Sequence, residues 1–527
     1  MIRIRQLKVS LDDKINLKNR IAKKLHIKDS TIKKIIIKKE SIDARNKNNI
    51  YYIYEVDIIV DNEVEVLRKN KSLDIFIAKE EKYVLPKSGK EKLNNRPVII
   101  GSGPAGLFSA YLLAECGYRP IVIERGEKIE ERVKTVEKFW ELGILNNNSN
   151  VSFGEGGAGT FSDGKLNTLV KDSENRMLKV FNTFVACGAP IDILYKNKPH
   201  IGTDLLRNVI VNIRKKIIDM GGEFMYNSTV TDFIIENDRI KCVKINDKDF
   251  IPCDVTILAI GHSARDTFKL LYDKNIKMSS KPFAIGVRVQ HPQNMINESQ
   301  YGKYFKYLDN ASYKLVYKAS NNRGVYSFCM CPGGYVVNSS SEDGYLVING
   351  MSNHKRDNIN ANSAIVVTVN QNDFGYNALD GMLYQKNIEK KAYEVCKGKI
   401  PVQLLDDFKN EKVSSSFREV FPCFKGGYAF ADLNRILPKY VSDSIKEAMD
   451  NFEKKIKGFS RDDTIIAGVE TRTSSPVRIE RDDSFMSNIL GIYPCGEGAG
   501  YAGGITTSAM DGIKVAESII KKYLPFE

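Results

Sequence analysis

The strongest constraint on how this chain folds is the stretch PVIIGSGPAGLFSAYLLAECGYRPIVIERG, residues 97–126. Val98–Ile100 is a short, wholly apolar strand, and Gly101-Ser-Gly103-Pro-Ala-Gly106 is a glycine turn. Leu107–Cys116 has the composition of a helix, with Ala105, Gly106 and Ala110 small enough for close packing. Gly117 stops that helix, and PIVIE is a second buried strand closing on Glu124. A strand, a glycine turn, a helix and a strand that ends on an acid define a parallel βαβ unit for a dinucleotide. Gly101 allows the tight turn, Gly103 lets backbone approach a pyrophosphate, and Gly106 lets the helix lie on the sheet. Glu124, 18 residues beyond Gly106, is placed to accept hydrogen bonds from ribose hydroxyls. An acid there disfavours a 2′-phosphate, so FAD or NAD is expected rather than NADP.

A second glycine cluster, GEGAGYAGG at residues 496–504, has the same formal spacing at Gly498, Gly500 and Gly503. Only 24 residues follow Gly503. They suffice for one helix, ITTSAMDGIKVAESIIKKYL, and not for a second βαβ unit with its acid. The cluster therefore reads as the closing half of the first site. Between the two lie GGEFMYNSTVTDFIIENDRIKCVKI, read as several short strands, and DVTILAIGHSARD, a buried strand ending at Gly261.

A strand closing on A-x-G after a β-meander, then a late strand closing on G-[DE], resembles the FAD half of the glutathione-reductase-like flavoproteins. The motifs NVSFGEGGAGTFSDGKLNT, AIGHSARDTFKLL, FAIGVRVQHPQ, SFCMCPGGYVV, GVETRTSSPVRI and YPCGEGAGYAGGITTSAMDGI run in order to the C-terminus. With the first fingerprint, they make the chain similar to bacterial FAD-dependent (NAD/FAD-utilising) dehydrogenases with a small N-terminal α/β domain. The resemblance implies bound FAD and oxidoreductase chemistry, and it specifies no substrate.

It also implies a cofactor-binding set: Gly101, Gly103, Pro104, Ala105, Gly106, Glu124, Arg125, Val230 and Gly261. Gly496 and Glu497 are implied at the ribityl–phosphate end, and Gly504 and Ile505 bring the last helix to the flavin ring. The loop FGEGGAGTFSDGKLNT holds five glycines, and such backbone can lie flat on a ring and donate N–H groups. Gly157, Thr160, Ser162, Asp163 and Lys165 are its expected contacts. Lys165 can stabilise a reduced anionic flavin; the alternative is a surface loop with a solvated lysine.

Lys165, His262 and Arg472 are the catalytic candidates. His262 follows a cofactor strand, whereas a lone histidine such as His291 is more often a packed residue. Arg472, near Glu470, either orients a substrate carboxylate or anchors the inserted domain through a salt bridge. Cys329 and Cys331 point to one face if extended, where a disulfide between them is strained; CMCPGG reads as a tight turn on the substrate side, with a redox dithiol as the alternative. No spacing of His, Cys, Asp and Glu reads as a metal site.

The expected architecture is α/β. A small unit spans 1–90, with helical spacing at Ile15, Ile21 and Leu25, and a polar linker covers 85–97. A doubly wound, Rossmann-like FAD-binding domain spans 97–278 and resumes at 464–527. An inserted α+β substrate or cap domain occupies 279–463, the usual place for such a domain. Nowhere in 279–463 is there a second strand–GxGxxG–helix with an acidic residue about 20 positions further on, so NADH or NADPH is expected only as a transient reductant.

Residues 1–95 hold 23 Lys+Arg against 14 Asp+Glu within a chain of net charge +14. That balance keeps a nucleic-acid partner for 1–90 as an alternative, such as a tRNA-modifying flavoprotein, although no aromatic–basic interleaving occurs. A non-catalytic flavin-binding redox sensor is a further alternative. The charged N-terminus and the absence of a long apolar run speak against a secretory signal or a membrane span. Nine scattered cysteines suit a reducing compartment, so a cytoplasmic protein acting on a small molecule is expected. The motifs specify no oligomeric state.

Overall fold

The computed structural model describes residues 1–11, 16–79 and 81–526. Ile15, the first position of the expected N-terminal helical pattern, lies outside them. The fold is organised around a five-stranded all-parallel sheet. Its strands run, in spatial order, Ile492–Pro494, Thr256–Leu258, Val98–Ile100, Ile121–Ile123 and Glu223–Met225. The central three are nearly continuous apolar runs because helices and a meander cover both faces. Helices Pro104–Glu115, Arg176–Ala186, Thr203–Asp219 and Ile505–Lys522 pack on one face. The antiparallel strands Val230–Glu236, Arg239–Ile245 and Asp249–Pro252, with helix Arg265–Asp273, cover the other.

The first helix starts at Pro104, three residues before the expected Leu107. Proline is at home at a first helical position, where its missing N–H costs nothing. Gly106 is then the contact point of helix and turn. A Cβ there would lie 1.9 Å from the Gly101 carbonyl oxygen, so only glycine allows this approach.

Between Thr256–Leu258 and Ile492–Pro494 the chain builds a second layer around a seven-stranded sheet. Its order is Val316–Lys318, Gly324–Cys331, Asn360–Val369, Phe283–Pro292, Ile465–Glu470, Ile400–Leu404 and Tyr428–Phe430. Helices Asp380–Cys396 and Lys439–Glu453 pack against it over the largest apolar core. The sequence assigns 464–527 to the first layer, yet Ile465–Glu470 pairs with Phe283–Pro292 on one side and Ile400–Leu404 on the other. An apolar run such as IIAGVE is equally suited to a buried parallel or antiparallel strand, so composition alone does not choose its sheet. The crossing between layers is instead Met278–Ser280 paired antiparallel with Val477–Ile479.

Residues at the N-terminus form a four-stranded antiparallel sheet, Ile32–Asp43, Tyr51–Val60, Ile2–Ser10 and Ile75–Ile77, with helices Leu17–Leu25 and Glu63–Lys69. Buried Arg3 grips Asp57 with bonds of 2.7 and 3.0 Å. This unit is tied to the rest through backbone. Glu40 N donates to Tyr195 O at 2.8 Å and Asn197 N to Glu40 O at 2.8 Å. The linker is also laid down on the body, because Gly89 N donates to Ile520 O at 2.8 Å.

Candidate functional site

A cavity of about 590 Å³ opens beyond the C-terminal ends of the parallel strands, between them and the seven-stranded sheet. This is the crevice where open α/β sheets bind ligands. Gly101, Gly103, Pro104, Ala105, Glu124, Arg125, Gly157, Ser162, Asp163, Lys165, Val230, Gly261, Glu497, Gly504 and Ile505 all line it, as do His262 and Arg472. The helices starting at Pro104 and Ile505 follow Gly103 and Gly504, and neither start has a side-chain cap. Their first N–H groups and positive dipole ends therefore face the cavity. Gly157 comes so close to the first turn that a Cβ on it would lie 3.0 Å from Gly103 Cα.

Three expected contacts sit behind the wall. Gly106 packs under the turn. Gly496 N donates to Asp511 Oδ2 at 2.7 Å. Thr160 is buried, with its carbonyl held by Thr203 Oγ1 at 2.6 Å. Its hydroxyl faces the Glu155 carbonyl and Arg132.

Glu124 is buried and accepts four hydrogen bonds from the chain. Ser102 N (2.9 Å) and Ser102 Oγ (2.7 Å) reach one carboxylate oxygen, and Gly126 N and Gly154 N, both at 3.0 Å, reach the other. A carboxylate has about four lone-pair sites, so Glu124 first joins the glycine turn to the loop that follows. A ribose hydroxyl must share an oxygen already engaged. Arg125 stacks over Phe153, 4.5 Å from the ring centroid, and binds Asp266 at 2.9 and 3.0 Å.

The glycine-rich loop is held from beneath by Arg132, a residue the sequence does not single out. Arg132 is fully buried and donates to the carbonyls of Asn150, Val151, Gly154, Glu155 and Gly157 at 2.6–3.2 Å. Burial without a carboxylate partner at hydrogen-bond distance pulls its pKa down to about 10. In IEERVKTVEKFW it looks like one more charge on an amphipathic helix. Only the tertiary fold turns its fork toward five carbonyls.

Asp163 and Lys165 are brought together as a 3.1 Å ion pair, and Arg356 closes on the same carboxylate, its Nε at 2.9 Å. Burial works against the Lys165 ammonium, but the Asp163 charge outweighs it, and the lysine sits above its ordinary value. Lys165 Nζ is 4.0 Å from Cys331 Sγ. Cys329 and Cys331 are both free thiols. A bulge between Phe328 and Cys331, with Cys329 at φ 41°, turns this stretch into the cavity wall. Burial raises the Cys331 thiol, Lys165 pulling the other way.

His262 Nδ1 lies 3.0 Å from Glu497 Oε1. Arg472 takes the anchoring role of the two the sequence allows. Its Nε and Nη2 donate to Glu389 at 3.0 and 2.7 Å, and Nη1 donates to Ser263 and Ser341. Glu389 also accepts from Arg265 at 2.7 and 2.9 Å. Its fork is therefore engaged, and a substrate carboxylate would have to displace these partners. Glu470 is likewise held by buried Arg288 at 2.6 and 2.7 Å. His291 is a packed residue on Phe459, its Nε2 2.8 Å from the Phe459 carbonyl and its pKa lowered to about 4 by burial. Among the described residues no three His, Cys, Asp or Glu side chains are placed to hold a metal ion, and no helix is long and apolar enough to cross a membrane.

A parallel sheet with two helix starts and a glycine loop turned into one crevice makes this an α/β protein with the layout of a nucleotide crevice. Residues 282–473 match the family model described as FAD-dependent protein, C-terminal domain-like, and residues 1–59 match a domain of unknown function. An uncharacterized protein of Clostridium beijerinckii is 48% identical over 530 residues, covering 99% of each chain. The chain belongs to one family with that protein. A 58-residue stretch, 11% of each chain, is 40% identical to an L-amino acid oxidase of Cerastes cerastes. Among solved structures, L-proline dehydrogenase from P. horikoshii matches at 14% identity and TM-score 0.34, over 82% of this chain and 94% of that one. Glycine oxidase from Bacillus cereus matches at 12% identity and TM-score 0.30, over 81% and 95%.

Proposed function

We propose that this protein is an FAD-dependent oxidoreductase acting on a small molecule held between the glycine loop and the seven-stranded sheet. The observation that carries the reading is the meeting, in one cavity, of two uncapped helix N-termini with the Gly157 loop and buried Glu124. The Gly103–Ala105 backbone suits the pyrophosphate. Buried Glu124, held by three N–H groups and the Ser102 hydroxyl, can share an engaged oxygen with a ribose hydroxyl and repels a 2′-phosphate. Glu497, oriented by His262, suits the ribityl end. Ser162, Lys165 and the start of the Ile505 helix suit the ring. When bound, FAD supplies two-electron chemistry as hydride transfer at flavin N5.

The protein's own part is positioning and electrostatics. Asp163 keeps Lys165 charged within the cavity, where the cation favours negative charge on the ring. The Arg265–Glu389–Arg472 cluster clamps the second layer onto the first, and Tyr313, Phe328 and Met330 limit water. A nicotinamide donor would dock transiently, because the five-stranded sheet is the only all-parallel one among the described residues.

Purified protein should be yellow and should release FAD, not FMN, on denaturation. Colourless protein that takes up no added FAD would sink the reading. Anaerobic bleaching of the flavin against a metabolite library, with NADH and NADPH included, then identifies the reductant.

A further inference from the structure

We propose that the substrate carries an oxyanion, held in the cavity by Lys198, Lys314 and the free Nη1 of Arg356. The inference deepens the proposed function and rests on it only in calling the ligand a redox substrate. Every carboxylate on the cavity wall is already matched. Glu124 has its four donors, Glu470 has Arg288, Glu497 has His262, and Asp163 has Lys165 and Arg356. The cations are not matched in return. Asp163 alone serves both Lys165 and Arg356, and it engages only Nε and Nη2 of Arg356. Among the described residues Arg356 Nη1 has no acceptor, Lys198 has only the Ser312 hydroxyl at 2.9 Å, and Lys314 has no ion-pair partner.

These groups belong to one patch. Ser312 and Lys314 flank buried Tyr313, and both line the cavity. Lys165 forms a backbone bridge with His200, two residues beyond Lys198. Arg356 and Lys198 line the same cavity, and burial, with the Arg356 charge adding to it, pulls the lysine below its ordinary value. Lys198 and Lys314 are themselves exposed, at the rim of the cavity. In a recess walled by Tyr313, Phe328 and Met330, unpaired cations of one sign focus their field and raise the local concentration of anions.

The patch is also held in place. The stretch that presents Lys198 is pinned on one side by the N-terminal unit, through the Glu40–Lys196 bridge, and on the other by the Lys165–His200 bridge. Its backbone is thereby set before any ligand arrives. The pyrophosphate position lies elsewhere, at the Gly103 turn, which leaves these cations to a second molecule beside Lys165.

The test is calorimetric titration of the purified full-length holoprotein with succinate, inorganic phosphate and, as a neutral control, glycerol, at low ionic strength. At least one anion should bind saturably, with one site per chain, and glycerol should not. The Lys198→Gln/Lys314→Gln double variant should retain its flavin content and melting temperature and lose at least about tenfold in anion affinity. Succinate binding alone points to a carboxylate, phosphate binding alone to a phosphate ester, and either supports the site. No saturable binding of either anion overturns the proposal, as does equal binding in the double variant. A variant with a shifted flavin potential and untouched anion affinity also overturns it, because the cations then serve the ring. Protein that lacks FAD but binds anion through Lys198 and Lys314 would defeat the proposed function and leave the site standing.

Discussion

His262 Nδ1 and Glu497 Oε1 meet at 3.0 Å although 235 residues separate them. Each stands just beyond the end of a neighbouring parallel strand, Thr256–Leu258 and Ile492–Pro494. The contact fixes the orientation of both side chains at the mouth of the cavity.

Removing either partner should therefore loosen the other. Glu497→Ala and His262→Ala are each expected to weaken FAD retention about tenfold, equivalent to about 1.4 kcal/mol. The double variant should cost less than the two losses combined, with a coupling of at least about 0.5 kcal/mol in FAD affinity. Strict additivity would show that the pair does not act as one unit.

Glu124→Ala leaves four N–H and O–H donors without their acceptor. Each buried donor so abandoned costs about 1–3 kcal/mol before water or relaxation relieves it. A lower melting temperature together with loss of FAD is expected. Flavin loss at an unchanged melting temperature would confine Glu124 to the ribose.

Arg132→Met should be among the most damaging single changes in the chain. It keeps the apolar stem but abandons five carbonyls beneath the glycine loop, a loss of at least about 3 kcal/mol. Denaturant unfolding at fixed FAD concentration measures it. A midpoint shift corresponding to under 1 kcal/mol would mean that the loop holds its own shape.

Glu389 gives a prediction about pH. Burial opposes its charge, but Arg265 and Arg472 outweigh burial and hold the carboxyl well below the ordinary glutamate range. Its folded value is thus depressed relative to about 4.3 in the unfolded chain. The stabilisation is complete above that value and is lost as pH falls below it. The wild-type melting temperature should drop steeply below about pH 4.5, and Glu389→Gln should be less stable at pH 7 with a shallower acid limb. Parallel curves would assign the acid sensitivity to other carboxylates.

Much of the first layer was legible because its signals are local. The turn Gly101–Gly106, the strand closing on Glu124 and the late Gly496–Glu497 all lie within a few residues of the elements that position them. Arg132 was not legible, because an arginine on an amphipathic helix carries no mark of the carbonyls it will meet. Arg472 was legible only as two alternatives, since its partner Glu389 lies 83 residues away on another helix. The strand Ile465–Glu470 reads as a strand in either layer, and pairing alone decided which.

The sequence by itself determined the βαβ turn, the acid that follows it and the single closing helix, because glycine spacing and short apolar runs act through local sterics. Only the tertiary structure decided that Glu124 is saturated by the chain, that Arg472 is an anchor, and that Lys198, Lys314 and Arg356 share one recess. Charge pairing in a folded protein depends on which distant side chains burial forces together, and no stretch of sequence states those distances.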